Sequence, residues 1–240
     1  MSAGAGWTAR PRWCEWAGMR ELLDNREGDE LLEEQILDSA AAFRGGFLNV
    51  DAVRVRLANG RETVHEVVRH PGAVAVIALR EDGKILLVRQ YRTALERMTL
   101  EIPAGKLERG EDPLLAAGRE LAEETGYSAG RLDYLMPIAV AAGYSDELIH
   151  LYMATELSAG APNPDDDEFV ASEWVELDVL VDSVLDGRIE DSKTVIAALI
   201  CDAMRHRLSA HRKARLREGR PERKDRDHEQ RDPPGGHHPG

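Results

Sequence analysis

The segment GKLERGEDPLLAAGRELAEETGY, residues 105–127, decides how the rest of the chain is read. It begins as a glycine-containing loop and continues as a short helix whose last turn is crowded with carboxylates. Asp112 suits the N-cap, and Pro113 suits the first helical position, where a missing N–H costs nothing. Thr125 and Gly126 mark the end, with Gly126 placed to take the left-handed conformation after the last turn. Leu114, Leu115, Ala117, Leu121 and Ala122 recur at helical spacing, which predicts that they face a sheet. Arg119, Glu120, Glu123 and Glu124 are left for the other side.

A solvated face explains most charge runs of this kind, but two features oppose it here. Glu120 and Glu124 form a like-charged i,i+4 pair, which costs roughly 0.2–0.5 kcal/mol in an isolated helix. Glu123 and Glu124 also lie where the helix dipole is negative, which costs about 0.3–1 kcal/mol per charge. Arg119 reaches Glu123 as its i+4 neighbour and offsets part of this. One guanidinium does not neutralise three carboxylates. A bound divalent cation does, and hard oxygen donors suit Mg²⁺ or Mn²⁺.

The order Gly105, five residues, Glu111, seven residues, Arg119-Glu120-Leu121-x-Glu123-Glu124-x-Gly126-Tyr127 resembles the Nudix box with every defining position filled. The resemblance implies hydrolysis of a nucleoside diphosphate linked to a further group. It also implies a divalent metal cofactor, Mg²⁺ with Mn²⁺ as a possible substitute. Glu120, Glu123 and Glu124 would be its ligands with the main-chain oxygen of Ala104, while Glu111 and Arg119 orient the helix. HPGAVAV (70–76), RQYR (89–92), LEIPAGKLE (100–108), AGYSDELIHLY (142–152) and GRIEDSKT (187–194) extend the likeness to the ADP-ribose pyrophosphatase subfamily. That subfamily implies Mg²⁺-dependent cleavage of ADP-ribose to AMP and ribose 5-phosphate. It also implies a general base on the loop after the box, and Glu147 stands at the matching position with Asp146 as runner-up. Such a carboxylate typically contributes about 10²–10⁴-fold. Arg92 matches an arginine that contacts substrate phosphate, and Arg69 is a further substrate-binding candidate. Relatives imply a homodimer in which N-terminal strands pack across a two-fold axis.

The box reports the scissile diphosphate and is silent about base and sugar. A nucleotide sugar, a dinucleoside polyphosphate or a flavin dinucleotide is therefore an alternative substrate. A non-catalytic ADP-ribose-binding module is the alternative from another class, and the intact carboxylates speak against it.

The 240 residues, 42% of them hydrophobic, allow one domain with extensions or two small ones. A formal net charge of −13 argues against nucleic acid as a partner, because that affinity comes from Lys and Arg on phosphates. A small nucleotide-sugar substrate bridged by cations fits the same charge. Cys14 and Cys201 are isolated, which fits a reducing cytoplasm. No run approaches the 18 or so apolar residues of a membrane span.

The expected fold class is α/β: a Nudix-type α/β/α sandwich with a mixed β-sheet, plus an N-terminal β-hairpin region. Residues 1–32 read as a partly disordered extension containing Trp7, Trp13 and Trp16, with Met19 an alternative start. One or two short amphipathic helices are expected between residues 20 and 43. Residues 33–68 read as a strand and hairpin region suited to dimerisation, with Asn59-Gly60 as its turn. Residues 69–204 form the expected hydrolase domain, and 205–240 a basic, disordered tail. Within the domain, the apolar run 73–79 predicts a strand buried on both faces. Strands are also predicted over 85–88, 98–102, 132–135, 138–141, 148–154 and 170–177. Asp178 is the expected cap of one late helix, and Asp191-Ser192 begins a longer one.

Overall fold

Ala73–Ala78 is buried along its whole length, and its two apolar faces put it between two helical layers. A computed structural model describes residues 28–163 and 169–218. The strands are β1 (Gln35–Arg44), β2 (Asn49–Arg56), β3 (Glu62–Arg69), β4 (Ala73–Ala78), β5 (Lys84–Arg92), β6 (Arg97–Glu101) and β7 (Ala104–Lys106). Helix α1 (Pro113–Thr125) follows, then β8 (Tyr127–Ala139), β9 (Leu148–Ala159), β10 (Ala171–Glu176), α2 (Leu177–Leu185) and α3 (Ser192–Glu218).

β4 pairs in parallel with β9 and antiparallel with β7, and β8 closes that mixed sheet in the order β7-β4-β9-β8. A second sheet has the order β10-β5-β6. Successive side chains of a strand point to opposite faces. Val74, Val76 and Ala78 accordingly pack with Ala116, Ala117 and Leu121 of α1. Ala73, Ala75 and Ile77 pack in the other core with Leu177 and Leu180 of α2 and with Ala197, Ala198 and Cys201 of α3. The α/β/α layering expected from the sequence is present.

β1, β2 and β3 form a separate meander, turned at Asn59 and at Gly60 with its φ of 82°. Val53 and Val55 are buried, whereas Ile36, Phe43 and Val64 stay more than half exposed. The end of β3 is stitched to the loop before β9. Val68 N–H donates to the Tyr144 carbonyl at 2.8 Å, and Asp146 N–H donates to the Val68 carbonyl at 3.2 Å.

Several expectations need correction. Residues 35–44 are strand, because the ladder to β2 (Ala40 opposite Ala52, Ala41 opposite Asp51) outweighs helix propensities of under about 1 kcal/mol per residue. The two strands predicted over 132–135 and 138–141 are one, β8, with a register shift between Tyr134 and Met136. Its Pro137 is tolerated because β8 is an edge strand. Glu176 holds the N-cap position of α2 without a side-chain bond, so Asp178 lies in the first turn and does not cap. α3 continues to Glu218, past the boundary placed at 204, through residues that are mostly good helix formers. Trp7, Trp13, Trp16, Cys14 and Met19 lie outside the described residues, as do the tail beyond 218 and the acidic run 165–168.

Two glycines of α1 separate by sign. A Cβ at Gly118 would meet only Leu132 at 3.7 Å, so nothing there requires glycine. Gly126, with φ 74°, would place a Cβ 2.6 Å from Pro162 N. Gly118→Ala should stabilise by about 1 kcal/mol. Gly126→Ala should destabilise by about 2 kcal/mol or more, from left-handed strain plus the clash. Urea denaturation midpoints check both, and a loss at Gly118 would mean that α1 packs more tightly on β8 than described.

Candidate active site

Helix α1 starts and stops as its sequence dictates. Asp112 Oδ1 accepts from Leu114 N–H at 2.8 Å, Pro113 fills the first turn, and Gly126 caps the end in the left-handed conformation. The face it buries is not the expected one. Leu114 and Leu115 are 45% and 70% exposed, while Glu120 and Glu124 are 7% and 5% exposed. Ala116, Glu120 and Glu124 form one i+4 ridge beside the ridge of Ala117, Leu121 and Thr125, and both ridges are buried. Leucines of the first turn lie outside this face, and two carboxylates lie within it.

β7 makes room for them. A Cβ on Gly105 would fall 2.0 Å from the Glu120 carboxyl carbon, so only glycine lets that carboxylate lie against the strand. Ala104 N–H donates to Glu124 Oε2 at 3.1 Å. Arg119 holds the rest. Its Nε and Nη2 grip both oxygens of Glu111 at 2.9 and 3.0 Å, and its Nη1 reaches Glu120 Oε1 and Glu123 Oε2 at 2.9 Å each. The hydrogen bond from Arg119 holds the Glu111 carboxyl below its usual range, and the same contact raises Arg119. The sequence reading paired Arg119 with one carboxylate, Glu123; the structure pairs it with three.

Glu120, Glu123 and Glu124 line one wall of a cleft of about 730 Å³. Glu147, Arg92 and Lys193 line it as well, with Phe47 and Lys106 at its rim. Lys106 Nζ lies 4.6 Å over the Phe47 ring, which meets His70 edge-on. The Glu147 side chain is 25% exposed, and its Oε1 stands 3.7 Å from His70 Nδ1. That nitrogen accepts from Gly72 N–H at 3.1 Å. The runner-up Asp146 is engaged elsewhere. Its Oδ1 accepts from His70 N–H at 2.8 Å and its Oδ2 from Arg69 Nη1 at 3.1 Å. Arg69 also binds Asp51 Oδ2 at 3.0 Å and is not among the residues lining the cleft. It joins β2, β3 and the Asp146 loop.

Arg92 lines the cleft and is also held from behind. Its Nε and Nη2 donate to the two oxygens of Glu101 at 2.8 and 2.7 Å. Sequence reasoning did not single out Lys193, which also donates to Glu101. It sits in GRIEDSKT, and a lysine there carries no signal of its own until the fold brings β6 beside α3.

The donor set is all oxygen, is negative beyond what one arginine neutralises, and has a glycine cradle under Glu120. On those grounds Glu120, Glu123 and Glu124 fit a hard divalent cation. Among the described residues, no three such side chains already converge on one point, because Arg119 lies between Glu120 and Glu123.

A sequence model described as the NUDIX domain matches residues 69–199. The chain belongs to the Nudix family. A Bacillus methanolicus protein described as a methanol dehydrogenase activator is 44% identical over 183 residues, 74% of this chain and 99% of that one. An ADP-ribose pyrophosphatase of Bacillus subtilis is 42% identical over 69% of this chain and 91% of its own length. One from Mycobacterium tuberculosis is 34% identical over 71% and 84%. A crystal structure of an ADP compounds hydrolase matches with a TM-score of 0.65 at 25% identity, covering 75% of this chain and 97% of that one. With its box complete, this Nudix chain is a pyrophosphohydrolase that works with a divalent metal ion.

One acidic group makes the fold pH-dependent. Burial opposes ionisation of Glu101, but hydrogen bonds from Arg92 and the charge of Lys193 outweigh it and bring the carboxyl from 4.5 down to about 2. The folded value lies below the unfolded one, so this contribution is complete above pH 4.5 and is lost as pH falls toward 2. It is on the order of 3 kcal/mol. Denaturant titrations from pH 5 to 2.5 should show wild type losing more stability than Glu101→Gln, and parallel losses would contradict the assignment.

Proposed function

We propose that this Nudix pyrophosphohydrolase cleaves the diphosphate of ADP-ribose to AMP and ribose 5-phosphate, with Mg²⁺ as its cation and Mn²⁺ as a substitute. The observation that carries the reading is one cleft lined by Glu120, Glu123 and Glu124 and also by Glu147. Sequence relatives described as ADP-ribose pyrophosphatases support the substrate. Glu120, Glu123 and Glu124, with the main-chain oxygen of Ala104, would hold the metal, which when bound neutralises diphosphate charge and polarises a phosphoryl oxygen.

Glu147 is the proposed general base. A water attacking phosphorus must lose a proton, and a carboxylate within hydrogen-bond reach takes it. Its neighbour His70 Nδ1 already accepts a hydrogen bond from Gly72 N–H and leaves the Glu147 oxygens as acceptors for water. Asp146 is the weaker candidate, because its two oxygens already accept from His70 N–H and Arg69. Glu111 and Arg119 set the rotamers of the metal-binding glutamates. Arg92 offers its guanidinium to a substrate phosphate, where a planar fork matches two oxygens at once.

The protein is proposed to be cytoplasmic and a homodimer. The buried Cys201, its thiol pushed up to about 12 by burial, fits a reducing compartment. Among the described residues, no helix is long and apolar enough to cross a membrane. The exposed Phe43 and Val64, which share one face of the N-terminal meander, offer apolar surface to a second copy.

Purified protein with Mg²⁺ should release AMP and ribose 5-phosphate from ADP-ribose. Glu124→Gln and Glu147→Gln should each lower kcat by about 10²-fold or more. Undiminished turnover in the first variant would remove the metal assignment, and in the second the base alone. A panel of nucleotide sugars, dinucleoside polyphosphates and flavin dinucleotide compared by kcat/KM would overturn the substrate if one of them exceeded ADP-ribose. Light scattering of the same preparation at the monomer mass would remove the dimer.

A further inference from the structure

Apart from the box carboxylates, one set of buried charges borders the cleft, and it gathers on Glu101. This residue ends β6 and is 2% exposed. Its carboxylate accepts from Arg92 Nε and Nη2, from Thr99 Oγ1 at 2.7 Å and from Lys193 Nζ. Lys193 lies in the first turn of α3, is 7% exposed, and donates also to Asp191 Oδ1 at 2.8 Å. The other oxygen of Asp191 caps α3 by accepting from Thr194 N–H at 3.0 Å. Thr194 Oγ1 in turn accepts from Ile102 N–H at 2.9 Å. The start of α3 is therefore fastened to Glu101 and Ile102, directly ahead of the strand that carries Ala104 and Gly105.

Burying a lysine and a glutamate costs free energy unless both are paired, and a hydrophobic pair of like volume would often be as stable. The arrangement needs another reason. Two cavities meet at this point, the carboxylate-lined cleft and a second of about 690 Å³, and both Arg92 and Lys193 line both. Arg92 gives Nε and Nη2 to Glu101, and among the described residues its Nη1 makes no hydrogen bond. A guanidinium is a rigid fork, so fixing two of its nitrogens fixes the direction of the third. Glu101 alone would cancel the charge of Arg92. Lys193 shares that carboxylate with Arg92 and is itself held by Asp191, so two cations and two carboxylates lock one another in place and hold Arg92 in one direction.

We propose that Lys193, acting through Glu101, is a positioning residue that fixes the direction in which Arg92 meets the diphosphate of the substrate. The proposal rests on the reading of the cleft as a diphosphate site, and it assigns no chemistry to Lys193 itself. Its signature is conditional. Loss of Lys193 matters for anion binding only while Arg92 is present, whereas a general structural role costs the same in either background.

The test is a double-mutant cycle on ADP affinity, measured by calorimetry with Mg²⁺, using Lys193→Met, Arg92→Gln and the double variant. Lys193→Met should weaken ADP binding about tenfold in the wild-type background and by less than about twofold in the Arg92→Gln background. Lys193→Arg should restore most of the affinity. Equal losses in both backgrounds, or no loss in the first, overturn the proposal. If Lys193→Met does not fold, Lys193→Gln, which keeps one hydrogen bond to the carboxylate, takes its place in the cycle. Wild type that fails to bind ADP removes the diphosphate reading and the proposal with it, whereas binding with an additive cycle removes the proposal alone.

Discussion

The arrangement depends on three carboxylates sharing one guanidinium, with a fourth beside them. Glu111, Glu120 and Glu123 all bond to Arg119, and Glu124 bonds to the Ala104 N–H, within and beside a single short helix. Four negative charges against one positive leave three uncompensated by that arginine. Such a cluster persists only if the surrounding structure over-determines it. Here Ala116, Ala117 and Leu121, all fully buried, clamp α1 onto β4, and Gly105 removes the side chain that would push Glu120 away. The helix cannot turn its acidic edge to water without exposing that core. Stability is given up locally to keep oxygen donors crowded, which is the pattern expected of a site built for cations.

The opposite wall is built by different means. The loop carrying Glu147 is pinned to the N-terminal meander through Val68 and through Asp146, whose two oxygens face His70 N–H and Arg69. One acidic residue of the pair is thus consumed in holding the loop, which leaves its neighbour to face the cleft. The third wall joins β6 to α3 through Glu101 and Thr194. Three segments far apart in sequence converge because β4 and β9 are parallel neighbours, so the loops at one end of the sheet meet.

The layering was legible because β4 is apolar on both faces and because α1 and α3 carry plain N-caps. The glutamates proposed to bind metal stood out in the sequence because like charges at i,i+4 and at a helix C-terminus violate local preference. The facing of α1 was not. Leu114 and Leu115 satisfy helical periodicity, yet the sheet is met by alanines and by carboxylates, and hydrophobicity alone cannot rank a buried glutamate above a leucine. β1 was hidden by alanines that favour helix in isolation and strand once β2 offers a ladder. The division of labour between Asp146 and Glu147, and the pairing of Lys193 with Glu101, come from contacts spanning about 75 to 90 residues, which no local pattern encodes.

The central claim is that Glu120, Glu123 and Glu124 exist to clasp positive ions against a diphosphate. Crystals grown with Mn²⁺ and a non-cleavable methylene analogue of ADP-ribose test it through anomalous difference density. The account predicts metal peaks at about 2.0–2.3 Å from the glutamate oxygens, with the analogue's phosphorus atoms on their far side. Analogue bound in the cleft with no peak beside those glutamates would contradict it.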